Sequence, residues 1–255
     1  MLKILICILA GLGAGLGTGF AGMSAAAVIS PMLIAFLDMD PYMAVGIALA
    51  SDVLASAVSA VTYGRNKNLD VKNGLVMMAA VLCFTAVGSF VASIVPKTTM
   101  GNFSVIMTLL LGIKFIVKPV VAPKPCLTDA TTVQKVIRSL LGGALVGFIC
   151  GFVGAGGGMM MLLVLTSLLG YELKTAVGTS VFIMSVTALT GAVSHFAIGG
   201  LPDITALIVC VVSTLVFAQV AALFANRAQP KTLNRVTGAV LVVLGAAILI
   251  VNFCK

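Results

Sequence analysis

Long apolar stretches separated by short polar turns run along almost the whole chain. Most of them hold about 20 residues, the length that a helix needs to cross the roughly 30 Å hydrocarbon core of a bilayer. The second and seventh stretches are shorter than a full crossing, because fourteen helical residues rise only about 21 Å. The pattern predicts ten helical segments, at about 4–21, 24–37, 42–63, 73–95, 99–117, 136–153, 157–169, 173–198, 204–225 and 231–253.

The two halves of the chain share one sequence pattern. A shift of 132 positions aligns 19–22 with 151–154 and 44–46 with 176–178. Such self-similarity indicates a duplicated unit, here of five segments. The apolar start is assigned to the fold and not to a cleaved signal peptide, because its counterpart in the second half is internal. The predicted organisation is a first membrane repeat at 1–117, a basic cytoplasmic linker at 118–135 and a second membrane repeat at 136–255.

The composition sets the fold class. The chain is 61% hydrophobic and 9% charged, with a mean hydropathy of +1.24, whereas soluble domains carry about 25% charged residues. An all-α polytopic membrane protein is therefore predicted. The net charge of +8 is attributed to cytoplasmic loops, so no nucleic-acid partner is expected. The six cysteines are interpreted mainly as buried free thiols.

The positions of the basic residues favour one of two topologies. If all five segments of each unit cross the membrane, the second unit is inverted and 12 of the 15 Lys and Arg residues lie on one side. If the short segments only dip in and return, the units are parallel and 10 lie on that side. Since Lys and Arg concentrate in cytoplasmic loops, the pattern favours inverted-topology repeats with both termini outside.

A glycine-rich break separates the first two segments of each unit. Small residues also let membrane helices pack closely, and this alternative is preferred for the glycines earlier in the first segment. Paired breaks, however, commonly surround a transporter's binding site, and the free N–H groups that start the following helix favour an anion. The predicted substrate-binding residues are those of the breaks and nearby hydroxyl groups, namely Gly19, Gly22, Ser24, Ser51, Gly154, Gly156, Gly157, Gly158, Thr179 and Ser180.

Three further polar residues lie inside apolar segments. Asp52 is the one carboxylate in mid-segment, and such residues line a pathway or a proton relay; the alternative is a structural carboxyl bonded to a neighbouring hydroxyl. His195, the only histidine, is a second proton-coupling candidate because imidazole titrates near neutral pH, with an interfacial structural histidine as the alternative. Gln219 is interpreted as a link between helices.

The stretches 151–158 and 176–180 resemble the signature of the TauE/SafE family of sulfite exporters. The duplicated plan, the basic central linker and the length extend this resemblance over essentially the whole sequence. The resemblance implies a permease of a bacterial or archaeal inner membrane that carries sulfite, sulfonates or related small anions, without catalytic residues. The first unit departs from the signature, with Ile47-Ala48 standing where the second has Thr179-Ser180.

Three classes of function are weighed on these residues. The favoured one is a secondary transporter that works by alternating access, with proton coupling left open. A channel would need a continuous polar lining, and a membrane-embedded enzyme would need paired acids, a histidine cluster or a Ser–Lys couple, which Asp52 and the distant His195 do not supply. No catalytic activity, cofactor or metal is expected. The expected partners are a small anion and the lipid bilayer, with a homodimer as a further candidate.

Overall fold

The computed structural model describes residues 2–94, 132–153, 157–199 and 202–253, with three isolated positions between 113 and 117. Within these ranges the regular structure is helical and no strand occurs. Most of the predicted segment at 99–117 and most of the linker lie outside the described residues. The described helices are α1 (Leu2–Ala21), α2 (Ala26–Leu37), α3 (Pro41–Arg65), α4 (Val71–Ile94), α5 (Thr132–Val153), α6 (Gly157–Ser167), α7 (Leu173–Gly199), α8 (Ile204–Arg227) and α9 (Pro230–Phe253).

The nine helices match nine of the ten predicted segments, with ends that differ by at most about four residues. The largest difference is at α5, which begins at Thr132 and so takes up the last part of the predicted linker. Hydropathy marks only the lipid-embedded part of a helix, and a polar first turn can extend beyond it. The same reason explains why α3 continues to Arg65.

Four of the described helices are long and apolar enough to cross a membrane: α1, most of α3, most of α7 and α8. The outer face of α8 is apolar and exposed. Ile204, Ile208, Val212, Val216 and Val220 recur every four residues and are 51–61% exposed. Such a stripe forms one helix face, and in a membrane protein it contacts acyl chains.

Glycines bring the helices α1 and α8 into close contact. Gly11, Gly15 and Gly19 line one face of α1, and a Cβ atom at Gly15 would lie 2.7 Å from the backbone oxygen of Thr214. The opposite face of α8 is correspondingly small, with Ala218 among its buried residues. The interpretation of the early α1 glycines as packing residues thus agrees with the structure, as expected for small residues between membrane helices.

Close packing at a glycine also joins α4 to α5, since a Cβ atom at Gly147 would lie 2.5 Å from the Val81 backbone oxygen. The long helix α3 packs against both α7 and α8. The short helix α2 contacts α1 and α3, while the short helix α6 contacts α5 and α7. Each short helix therefore lies between two long ones, near the α3–α7 contact.

Polar groups gather where α3 ends, at a surface that we call the basic end (residues 65–72, 171–175 and 226–235). Asn68 Nδ2 donates to Asn226 Oδ1 at 2.7 Å, and Lys174 Nζ donates to the Asn226 oxygen at 2.9 Å. The Tyr171 hydroxyl donates to Asp70 Oδ2 at 2.7 Å. Burial, together with this carboxylate, raises the pKa of Tyr171. Three loops that are distant in sequence are thereby joined.

The start of α3 lies at the other end of the molecule, which we call the acidic end (residues 38–40 and 202–203). Here Lys3 forms an ion pair with Asp203, the residue that caps α8. Its hydrogen bond to Lys3 lowers the pKa of Asp203. An open cavity of about 350 Å³ lies beside this pair, lined by Lys3, Leu37, Met39, Asp40, Met43 and Asp203.

Candidate functional site

The first break is produced by Gly22. This residue has φ +59°, a left-handed conformation that side chains with a Cβ atom rarely adopt. Its N–H donates to the Thr18 oxygen at 2.9 Å, which ends α1 with a left-handed cap. A Cβ atom at Gly22 would also lie 3.0 Å from the Ser180 side chain. Both the backbone conformation and the space therefore favour glycine at this position.

Hydroxyl groups donate hydrogen bonds to the carbonyl groups of the break and of the last turn of α1. Non-helical backbone at membrane depth requires such partners, because lipid offers none. Four hydroxyl groups, from α1, α3, α7 and α9, supply them: Tyr63 to Gly19 at 2.8 Å, Thr237 to Phe20 at 3.1 Å, Ser180 to Gly22 at 2.9 Å and Thr18 to Met23 at 2.9 Å. Hydrogen bonds from residues of four helices therefore stabilise the backbone at the break.

The Asp52 carboxyl group lies at the N-terminus of α2. It is fully buried and accepts hydrogen bonds from Ser24 Oγ at 2.8 Å and Ser56 Oγ at 2.7 Å. The Ala25 backbone forms a further hydrogen bond to the carboxyl group. Helix N-termini favour negative charge, so the protein's own carboxyl group occupies a position suited to an anion. Ser24 also accepts from the Ala26 N–H at 3.3 Å and so helps to start α2.

The start of α6 packs against the first break. Gly157 is the first residue of α6, and a Cβ atom at Gly158 would lie 2.5 Å from the Ser24 nitrogen and 2.7 Å from the Gly22 oxygen. Only a residue without a side chain fits there. The structure therefore brings Gly22, Ser24, Gly158, Ser180 and Asp52 into one buried cluster, which we call the break cluster.

Other predicted site residues lie elsewhere. Gly19 packs on α8, where a Cβ atom would be 2.5 Å from Ala221 Cβ. Ser51 Oγ donates to the Ile47 oxygen of its own helix at 2.8 Å. Thr179 Oγ1 accepts from the Asp70 N–H at 3.2 Å, at the basic end. Gly154 and Gly156 lie outside the described residues.

The two remaining polar candidates are also separate from the break cluster. His195 packs beside Gly46, six residues before Asp52 and so about 9 Å away along the α3 axis. Gln219 Oε1 accepts a hydrogen bond from Thr62 Oγ1 at 2.9 Å, which matches its interpretation as a link between helices. Within the described residues, no three His, Cys, Asp or Glu side chains are grouped as metal ligands.

Sequence reasoning missed four hydroxyl groups around the break: Ser56, Tyr63, Thr18 and Thr237. The spacing of Ser56 and Tyr63 along α3 could have indicated these two residues. Asp52, Ser56, Ser59 and Tyr63 follow one another at intervals of four, three and four, so they share one helix face. Nothing in the sequence connects Thr237 with Phe20, because that contact depends on how α9 packs.

Comparison with known proteins now identifies the family. The family described as sulfite exporter TauE/SafE matches residues 7–248, a range that includes both breaks. The chain belongs to the TauE/SafE family. The resemblance noted in the sequence is confirmed, and together with the four candidate spans it makes this TauE/SafE chain a multi-pass membrane protein.

Two curated relatives come from Bacillus subtilis (strain 168). The probable membrane transporter protein YunE is 26% identical over an alignment 268 positions long, which covers 97% of this chain and 98% of the relative. The probable membrane transporter protein YdhB is 25% identical over 230 residues, which cover 89% of this chain and 90% of the relative. The similarity thus extends over nearly the full length of each protein and supports a membrane transporter.

Proposed function

We propose that this TauE/SafE protein is a secondary transporter that moves a small anion, such as sulfite or an organic sulfonate, across a bacterial or archaeal plasma membrane. The contact of Gly158 with Ser24 and Gly22 carries the proposal. The first break meets the glycine-rich start of α6 there, and transporters commonly have broken helices at their binding sites. The anion is expected beside Gly158, Ser24 and Ser180, where backbone can approach it closely.

The depth of the break cluster supports this position. Asp52 lies 11 residues after the first residue of α3 and 13 before the last. These intervals correspond to about 17 Å and 20 Å along the helix. The cluster is therefore near the middle of the membrane, where a carrier can expose its site to either side in turn.

We further propose that the chain consists of two inverted repeats. In the sequence alignment of the halves, α1 corresponds to α5 and α4 to α8, and the structure has both an α1–α8 and an α4–α5 contact. The short helices support the same relation: starting from the Gly158–Ser24 contact, α2 ends next to the acidic end and α6 ends next to the basic end. Two units of opposite orientation would give this arrangement.

Alternating access then requires the two ends to open in turn. At the basic end the loops are joined by the Asn68–Asn226 and Tyr171–Asp70 hydrogen bonds. At the acidic end the Lys3–Asp203 ion pair lies beside an open cavity of about 350 Å³. We propose that these hydrogen bonds at the basic end form one of the two gates that alternating access requires.

The topology gives the first prediction. With native cysteines replaced, Lys72→Cys and Lys231→Cys, both at exposed positions, are expected to react with an impermeant maleimide only in inside-out vesicles. Thr205→Cys, exposed near the acidic end, is the control and is expected to react only in right-side-out vesicles. The reason is that the basic loops should be cytoplasmic. Labelling of Lys72→Cys and Lys231→Cys from opposite sides would exclude inverted repeats.

Transport itself is tested in proteoliposomes with sulfite, thiosulfate, sulfoacetate and a simple carboxylate as probes. A carrier is expected to show saturable uptake of at least one probe and to exchange labelled for unlabelled substrate across the membrane. A channel would instead give uptake that rises linearly with concentration and shows no counterflow. Protein-free liposomes provide the background, and uptake of every probe at that background would reject the proposed anion transport.

A further inference from the structure

One face of α3 carries a line of polar side chains through the protein interior. Asp52, Ser56, Ser59 and Tyr63 have no exposed surface. The opposite face carries Leu54 and Val61, which are 46% and 55% exposed.

The spacing of these residues is helical, so the two sets lie on opposite sides of α3. The helix therefore turns its polar side inward and its apolar side to lipid. We call the inward line of four residues the polar face of α3.

Ser59 is the unusual member of this face. Its Oγ atom is fully buried, and no hydrogen-bond partner for it is found among the described residues. A buried hydroxyl group without a partner costs about 1–3 kcal/mol, and buried polar groups are commonly satisfied by internal water. Ser59 lies one helical turn from Ser56 on one side and from Tyr63 on the other, so it is placed to hold such a water in line with them.

The polar groups continue from Ser59 to the basic end. Thr62, one turn further, has its Oγ1 atom 2.9 Å from Gln219 Oε1 on α8. Asn66 Nδ2 then donates to the Thr62 oxygen at 2.8 Å, and Asn66 itself is exposed. Asp52 and Asn66 are 14 residues apart, or about 21 Å along the helix. A line of polar groups thus extends from mid-membrane to the surface.

We propose that the polar face of α3 is the path by which protons pass between Asp52 and the basic end, with Ser59 as the water-binding residue at its centre. This inference rests on the proposed function and adds to it the coupling ion and its route. Each hydroxyl group or water on the path, from Thr62 through Ser59 and Ser56, accepts one proton and releases another, so only O–H bonds are exchanged. The amide groups of Asn66 and Gln219 keep their protons and hold this line in place. One proton enters from solvent at the basic end, and the Asp52 carboxylate becomes the neutral acid.

The groups around Asp52 suit this role. Its hydrogen-bond partners among the described residues are Ser24, Ser56 and the Ala25 backbone, none of which is charged. The helices packed against α3 are α1, α2, α7 and α8. Within the described residues, the titratable side chains of these four helices are Lys3, Cys7, Lys174, His195, Cys210 and Arg227. On α3 itself, the further titratable side chains described are Tyr63 and Arg65. Lys3 pairs with Asp203, Lys174 binds Asn226, and Cys210 contacts Cys7.

The test measures hydrogen–deuterium exchange at the Asp52 carboxyl group by infrared spectroscopy of the full-length protein in lipid. The carboxylic C=O band that disappears in Asp52→Asn is assigned to Asp52, and its shift is followed after a change from H₂O to D₂O. We expect Ser59→Ala to slow this shift by about tenfold or more. Ser59→Thr, which keeps the hydroxyl group, is expected to exchange at the wild-type rate.

The matched control is Ser139→Ala on α5. Its hydroxyl group is also fully buried and without a partner among the described residues, but α5 does not belong to the path. Removing an unpartnered hydroxyl costs little stability, so both alanine variants are expected to fold. Equal exchange rates in Ser59→Ala and Ser139→Ala would overturn the proposal.

A second result would also overturn it, namely no carboxyl band of Asp52 at any pH between about 4 and 9. The measurement needs no substrate and therefore separates the two proposals. Slowed exchange in Ser59→Ala with uptake of every anion at background would support the proton path and reject anion transport. Saturable anion uptake with unaltered hydrogen–deuterium exchange would support anion transport and reject the proton path.

Discussion

Gly158→Ala is expected to lower anion transport by about tenfold or more while the protein still inserts into the membrane. The added Cβ atom would lie 2.5 Å from the Ser24 nitrogen and 2.8 Å from the Met23 carbonyl carbon. Both are backbone atoms, so no rotation of a side chain can relieve the overlap. Overpacking of this kind typically costs about 1–3 kcal/mol, and here it would push α6 away from the first break and alter the break cluster.

The matched control is Gly64→Ala. This glycine also lies within a helix, but its new Cβ atom would meet only the flexible Leu69 side chain, at 3.3 Å. Uptake per amount of protein and the unfolding temperature in detergent are measured for both variants. We expect Gly64→Ala to transport normally and Gly158→Ala to be folded but inactive. Normal uptake by Gly158→Ala would contradict the proposed role of the contact between the breaks.

The helices were predictable because lipid imposes one simple rule. A membrane-crossing backbone must satisfy its own hydrogen bonds, so each apolar run has to be a helix. The ends of α2 and α7 follow from turn signals next to these runs, such as the Asp38–Pro41 stretch before α3. Hydropathy gives no information on which helices touch, however. The α1–α8 contact was not predicted, although the glycines that form it were noted.

Of the candidate site, the glycine-rich backbone was the part that the sequence predicted best. The glycine-rich breaks had a sequence signal, and the structure places Gly22 and Gly158 together. The hydroxyl groups were only partly predictable, because a serine in a membrane helix either bonds to its own turn or points to a distant partner. Ser51 does the first and Ser180 the second, and only the packing of α3 and α7 decides between them.

The two units of the chain contribute different groups to the break cluster, and this difference bears on proton coupling. Asp52 belongs to the first unit, and its counterpart under the shift of 132 positions is Met184. The Asp52 carboxyl group lies at the N-terminus of α2, whereas the N-terminus of α6 has glycines. The carboxyl group therefore makes the first unit the candidate proton-binding half, and the proposed substrate position adjoins it at Ser24 and Gly158.

Asp52→Asn is expected to keep substrate exchange and to lose accumulation driven by a pH gradient. The amide oxygen can still accept a hydrogen bond from Ser24 or Ser56, and the amide nitrogen can donate to the other hydroxyl group. The fold and the anion site should therefore persist. An amide cannot bind and release a proton in this range, so a carrier coupled through Asp52 would exchange labelled substrate at a normal rate but accumulate none above equilibrium.

The control for this variant is Asp203→Asn at the acidic end. Asparagine caps a helix about as well as aspartate does, so the cap on α8 should persist, and this exposed position is expected to leave pH-driven accumulation unchanged. Asp52→Ala separates structure from coupling, because it leaves Ser24 and Ser56 without their shared partner at a cost of about 1–3 kcal/mol. If Asp52→Asn accumulates substrate with the normal pH dependence, the carboxyl group only holds α2 and α3 together. Coupling through Asp52 requires the opposite pattern, in which Asp52→Asn retains the unfolding temperature and the exchange rate but no longer responds to the pH gradient.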